Sequence, residues 1–308
     1  LEGIYKRILE SWSADIHIKY PSLKWSVPEI TAKTDLKMIF DSATKNLLML
    51  LDSVTNVPLL AIFLDEIEHI VPYQIGDADT LQLYIKLMDS LRGFQQETNN
   101  LTLLVAGVHP NAARRNYFWS DQKNPLHQVI SERFLLPLDK EDCNYMIRSL
   151  GQQINLTYDD AALEYIIQMS GAHPFLARQL CSLAYKNQGS TDTISVQTIK
   201  KTARDFVNNP ATASYFDDYG LWGELGKQDI WGEDISQAIH QILKCLAASS
   251  FDLTESEICP ALDRKVTDRA LTALLERGII STLPSSRQYH ITFGLFRDWI
   301  RLHKLGME

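Results

Sequence analysis

Two adjacent carboxylates, Asp65 and Glu66, end the apolar run in "LLAIFLDEIEHI". Six apolar residues are too few for a typical helix and suit a strand buried on both faces of a parallel sheet. Carboxylates at the carboxyl end of such a strand lie where open α/β folds bind ligands. An Asp there can hold Mg2+, directly or through water, and a neighbouring Glu can polarise a water for attack on a phosphate. The plainer alternative is that the pair starts the next loop or helix, since acidic residues suit helix N-termini.

Other chemistry is easier to set aside. "EIEH" (Glu66 to His69) imitates part of a metal motif, but HExxH is absent and no second histidine is found at helical spacing. There is no GxSxG elbow. Cys143, Cys181, Cys245 and Cys259 stand far apart with no CxxC pair, which argues against a zinc knuckle or a disulfide framework.

The elements that would position the acidic pair can be read from spacing. Residues 1–16 and 34–54 are helical in pattern, separated by a loop with Pro21 and Pro28. After "LLAIFL" come an amphipathic helix over 78–96 and a second apolar run, "LTLLVAGV", at 101–108. Strand, helix and strand make a βαβ unit with parallel strands and a right-handed crossover. "RFLLPL" adds a short third strand. From Asp139 the pattern turns purely helical, over 139–152, 159–170, 174–187 and 194–208. Residues 209–233 lack a period and read as a linker, although Tyr215, Phe216, Trp222 and Trp231 suit packing onto a domain. The remainder reads as a helix, a short helix ("TESEICPAL"), a helix, two short strands and a final helix.

Ending in Asp-Glu, the first strand resembles the Walker B element of P-loop NTPases in the hhhhDE form of the AAA+ and STAND ATPases. The second strand then sits where AAA-type ATPases place sensor 1, with His109 at its end; the family more often has Asn, Ser or Thr there, and a plain loop histidine is the alternative. "VISERFLLPLDKEDCNYMIRSLG" resembles the origin-recognition and STAND pattern, in which Arg133 would reach a nucleotide, its own or a neighbour's. Otherwise Arg133 is a surface ion-pair residue. "ALEYIIQMSGAHPFLARQLCSLA" is similar to the lid signature of STAND ATPases, where Gly171 stops one helix and Pro174 opens the next. In the family that Pro lies near the adenine, and His173 comes just before it; an ordinary helix-turn-helix corner is the alternative. "YHITFGLFRDWIRLHKL" is similar to the end of the winged helix that comes after the lid in these ATPases.

The resemblance implies an α/β fold: a partial P-loop NTPase core with a parallel sheet (1–138), a helical lid (139–208), a linker (209–233) and a C-terminal winged helix (234–308). It implies Asp65, Glu66 and Arg133 as catalytic residues, with Asp65 as metal ligand. His109, His173 and Pro174 would contact the nucleotide, and the cofactors would be ATP or ADP with Mg2+. The chain departs from the family in one essential: no G-x-x-x-x-G-K-[ST] string exists to cradle phosphates. "GELGKQD" has the wrong glycine spacing and carries Gln228 after Lys227. The start at Leu1, without Met, reads as that of a fragment whose phosphate loop lies upstream; alone, it is expected to bind ATP weakly.

Three functions stand as expectations. The first is an ATP-dependent signalling switch, possible in bacterial defence, with effector or sensor domains outside this region and with self-association. The second is an origin-recognition-type module whose winged helix reads DNA. The third is a scaffold without catalysis. The 308 residues carry a formal charge of −8, and residues 234–308 hold nine Lys or Arg against nine Asp or Glu. DNA readers usually present a basic face, so the second is disfavoured. No run approaches the ~20 apolar residues of a membrane span, and a reducing cytoplasm fits the cysteines.

Overall fold

The computed structural model describes residues 2–29, 35–54, 60–71, 78–97, 100–107, 111–114, 116–118, 121–127, 129–187, 192–227, 231–258, 260–282 and 287–307. The chain divides into two compact units, Leu1–Glu132 and Arg133–Glu308.

The first unit opens with helices α1 (Glu2–Lys19) and α2 (Leu36–Leu51). Next come strand β1 (Leu60–Leu64), helix α3 (Ala78–Glu97), strand β2 (Leu101–Val105) and the single turn α4 (Asn111–Arg114). Asp35 starts α2 by accepting the Lys37 and Met38 amides, which would otherwise lack partners in a first helical turn. β1 and β2 pair in parallel, Leu60 opposite Leu101 through Leu64 opposite Val105, as the βαβ reading requires. The core gathers Phe40, Leu47, Tyr84, Leu87 and Leu91 from the helices with Ile62 and Leu101 from the strands.

Burial on both strand faces is not what the structure has. Ile62 is buried, but Phe63 is 70% exposed and its register partner Leu104 is 54% exposed. One sheet face is packed and the other stands open. The third strand is also absent: residues 131–139 belong to no strand, and Leu135 is 98% exposed. The reason is physical, because a strand is made by its neighbour's hydrogen bonds, and among the described residues no strand lies beside this segment.

The second unit is built on α5 (Lys140–Gln152), α6 (Asp160–Ser170), α7 (Pro174–Asn187) and α8 (Val196–Asn208). Asp139, Asp159 and Ser195 cap α5, α6 and α8. Two strands not evident from spacing, β3 (Thr157–Tyr158) and β4 (Thr193–Ile194), pair in parallel among these helices. Residues 209–227 form α9 (Pro210–Ala213) and α10 (Leu221–Leu225) and bury Phe216, Trp222 and Leu225.

Then come α11 (Glu233–Ala248), β5 (Leu253–Thr254), α12 (Arg264–Glu276), β6 (Ile280–Thr282), β7 (Gln288–Ile291) and α13 (Gly294–Lys304), with an antiparallel sheet in the order β5-β7-β6. Within "TESEICPAL", residues 255–258 and 260–262 form turns and bends rather than a short helix. Glu257 accepts from the Thr254 amide and hydroxyl, and Pro260 lacks the amide that further helix would need. One continuous core runs from Cys143 to Ile300, with Phe206, Phe216, Phe296 and Trp299 in contact. Among the described residues, no helix is long and apolar enough to cross a membrane.

Candidate functional site

Beyond Leu64, where β1 ends, the ladder to β2 does not continue evenly. The Ala106 amide donates to the Leu64 carbonyl at 2.8 Å, while the Ala106 carbonyl accepts from Ile67 at 3.0 Å. A regular parallel ladder would use residue 66 for that second bond, so one extra residue is accommodated and β1 ends in a bulge. Glu66 supplies the turn, with left-handed backbone angles of φ 52 and ψ 49. For a residue with a Cβ that conformation costs about 1–2 kcal/mol. The bulge carries Asp65 and Glu66 out of the ladder, and both are exposed.

The two carboxylates have different surroundings. Asp65 Oδ1 accepts the Glu66 amide at 2.9 Å, and its other oxygen has no partner among the described residues. That free oxygen fits a divalent cation. Glu66 Oε2 lies 3.5 Å from His69 Nε2, within the short 3-10 turn Ile67–His69. Among the described residues no cluster of three or more His, Cys, Asp or Glu is arranged for a metal. A cation at Asp65 would therefore need ligands from elsewhere, as Mg2+ commonly takes from water and phosphates.

The remaining sequence candidates that the structure describes belong to the second unit. His109 lies outside the described residues. Arg133 is exposed and makes no ion pair among the described residues; it begins the second unit. His173 and Pro174 form an elbow between α6 and α7. Gly171 (φ 58) and Ala172 (φ 58) are both left-handed, and Ala172 donates to the Ile167 carbonyl at 3.1 Å to close α6.

A Cβ on Gly171 would come within 2.5 Å of the Thr292 carbonyl and 2.6 Å of the Phe293 ring, so only glycine fits against the end of β7. His173 sits edge-on to Phe293 at 5.6 Å. Its Nδ1 is buried without a hydrogen-bond partner among the described residues, and burial holds its pKa below the ordinary imidazole value. Pro174 opens α7, where a missing amide costs nothing.

The "GELGKQD" stretch has a structural role. A Cβ on Gly223 would meet the Asp218 backbone at 1.8 Å, and one on Gly226 the His240 ring at 2.5 Å. Lys227 is paired with Glu224. These glycines allow close packing.

No protein-family profile matches the sequence, and no curated protein matches it. Solved structures do. A Walker-type ATPase of Pyrococcus abyssi is similar over 97% of this chain and 79% of its own, with a TM-score of 0.56 at 14% identity. RuvB of Thermotoga maritima, a Holliday junction branch migration motor, matches over 99% of this chain and 95% of its own at 16% identity, with a TM-score of 0.36. The DNA clamp loader delta protein of Bacillus subtilis matches over 76% and 70% at 12% identity, with a TM-score of 0.22. The latter two superpose too loosely to carry an argument. The first defines a fold: a mixed helical and α/β chain with small parallel sheets, of the P-loop NTPase kind.

Proposed function

We propose that these residues are the nucleotide-binding and winged-helix part of an ATP-dependent signalling switch of the STAND or AAA+ kind, working in the cytoplasm. Asp65 holds Mg2+ through its free oxygen, and Glu66 polarises the water that attacks the terminal phosphate. The roles assigned by this reading are phosphate contact for Arg133, in its own or a neighbouring subunit, and nucleotide contact for His109, His173 and Pro174. The reading requires a phosphate-cradling loop, and these 308 residues hold no G-x-x-x-x-G-K-[ST] string. ATP and ADP favour different arrangements of lid and winged helix, because only differential contact with two states can drive a switch. Effector or sensor domains, and association with further copies, read out the change, as in bacterial defence.

The observation that carries this reading is the bulge at the carboxyl end of β1, which turns two carboxylates outward at a strained residue. Strain of this kind concentrates at functional sites. The open Phe63–Leu104 face supports it, since parallel sheets are normally covered on both faces. The helix, antiparallel three-stranded sheet and helix after residue 233 support the winged-helix assignment.

The test is calorimetric titration of Mg-ATP and Mg-ADP into this chain and into a chain extended upstream by roughly a hundred residues, enough to add a strand and a phosphate loop. Tight binding by the extended chain, with turnover abolished by Glu66→Gln, is the expected result. Absence of binding by both leaves a scaffold. A steep salt dependence of DNA binding would favour the origin-recognition reading instead.

A further inference from the structure

A cavity lies within the second unit, away from the acidic pair in sequence and in chemistry. It is a cleft of about 510 Å³ between α5, β3 and α7, a volume in the range of small-molecule sites. Its floor is apolar and buried, with Ile147, Leu156 and Tyr158. Cys181 also lines the floor, and burial pushes its thiol up to about 12. Burial raises the Tyr158 hydroxyl as well, so the floor is uncharged at neutral pH.

The mouth is different. Arg178, Gln179 and Ser182 are carried by α7 and line the same cleft; Ser182 stands four residues after Arg178 and three after Gln179, the spacings that bring helical side chains together. None of the three makes a side-chain hydrogen bond or ion pair among the described residues. Among the described residues no Asp or Glu lines the cleft and Arg178 is its one charged group. Phe175 forms one wall and is steadied edge-on by Tyr215 at 4.9 Å.

An apolar cavity with one cation and two neutral hydrogen-bonding groups at its mouth matches a ligand with an apolar body and one anionic group. We infer that this cleft binds a small amphipathic carboxylate, an aryl- or alkyl-carboxylic acid whose body lies between α5 and α7 and whose carboxylate pairs with Arg178. Gln179 and Ser182 complete the head-group contacts. The inference does not rest on the nucleotide reading, and either can fail alone.

The experiment is calorimetry on the full 308-residue chain with 4-phenylbutyrate, its uncharged amide, and an acidic amphipathic peptide. Saturable one-site binding of the acid is expected, with the amide at least tenfold weaker. Arg178→Gln should weaken the acid at least tenfold, Arg178→Lys should recover part of that loss, and Ser182→Trp, at the mouth, should block entry. Circular dichroism confirms that each variant folds. Four results would overturn the proposal: no saturable binding of the acid at millimolar concentration, equal binding of acid and amide, indifference to Arg178→Gln, or binding of the peptide alone. The last would make the cleft a protein-docking groove.

Discussion

The two units differ in how far their regular elements share one core. In the second, every helix longer than two turns feeds one continuous core, and segments without a clear period are drawn into it by Phe216 and Trp222. In the first, a two-stranded parallel sheet has one packed face and one open face. The contrast separates two uses of apolar sequence. In the second unit it joins seven helices, α5 to α8 and α11 to α13, in one core, whereas in the first, part of it stands exposed on one face of the sheet.

Mutations sharpen this contrast, and the largest effect is expected in the second core. Trp299 lies against Phe216, Trp222 and Phe296 at 6.0 to 6.3 Å, so Trp299→Ala should cost about 3–5 kcal/mol in urea unfolding. In the first unit the two faces of β1 should part company. Ile62→Ala should cost about 2–4 kcal/mol, while Phe63→Ser should stay within about 0.5 kcal/mol. Equal costs would mean that the open face is packed in solution, and the contrast between the units would collapse.

Gly171→Ala combines a left-handed backbone with a 2.5 Å approach to the Thr292 carbonyl, and should cost roughly 2 kcal/mol in the second unit. Glu66→Gly should do the opposite in the first, stabilising by about 1 kcal/mol because glycine adopts the bulge freely. Glu66→Gln should leave stability unchanged. A residue whose removal both stabilises the fold and abolishes turnover would mark the bulge as built for chemistry.

The smallest effect is a pH slope. His240 stacks on Trp222 at 4.0 Å and meets its carbonyl at 2.9 Å. Burial, the largest cause, holds its pKa below the ordinary value of 6.5, and the nearby Lys244 and Lys304 add to this. The unfolded chain therefore takes up protons first as pH falls. Stability is fully present above about pH 6.5, declines as pH drops through that value, and levels off below the folded pKa. His240→Gln should flatten that part of the stability profile, leaving the slope contributed by His173.

Much of this architecture is legible in the sequence, for identifiable reasons. Helices α5 to α8 stand out because each has an apolar face, and Asp139, Asp159 and Ser195 mark three of their starts. β1 and β2 stand out as apolar runs too short for helices. What a run cannot reveal is whether both of its faces find partners, which is why Phe63 and Leu104 read as buried and are not. A two-residue strand has no period, so β3 and β4 are invisible. "RFLLPL" has strand composition without a neighbour to make it one. At the candidate site, the place of Asp65 and Glu66 after β1 is legible, but the bulge depends on how Ala106 shares its hydrogen bonds. Arg178, Gln179 and Ser182 are neighbours by simple helical spacing, yet the cleft beneath them needs β3 and α5 to exist.

The approach to α5 has a mechanical consequence. Just before that helix, the Leu138 amide donates to the Ala172 carbonyl at 3.2 Å, and Pro137 lies against Gly278, where a Cβ would come within 2.8 Å of its ring. A pull on the chain from its N-terminal side reaches the second unit through this segment, where Leu136 also lies near Gly278 and Leu138 packs against the core, before it loads any helix. These attachments should yield before that core does. In an optical trap a short, reversible lengthening at residues 133–138 should precede the loss of the core around Trp299.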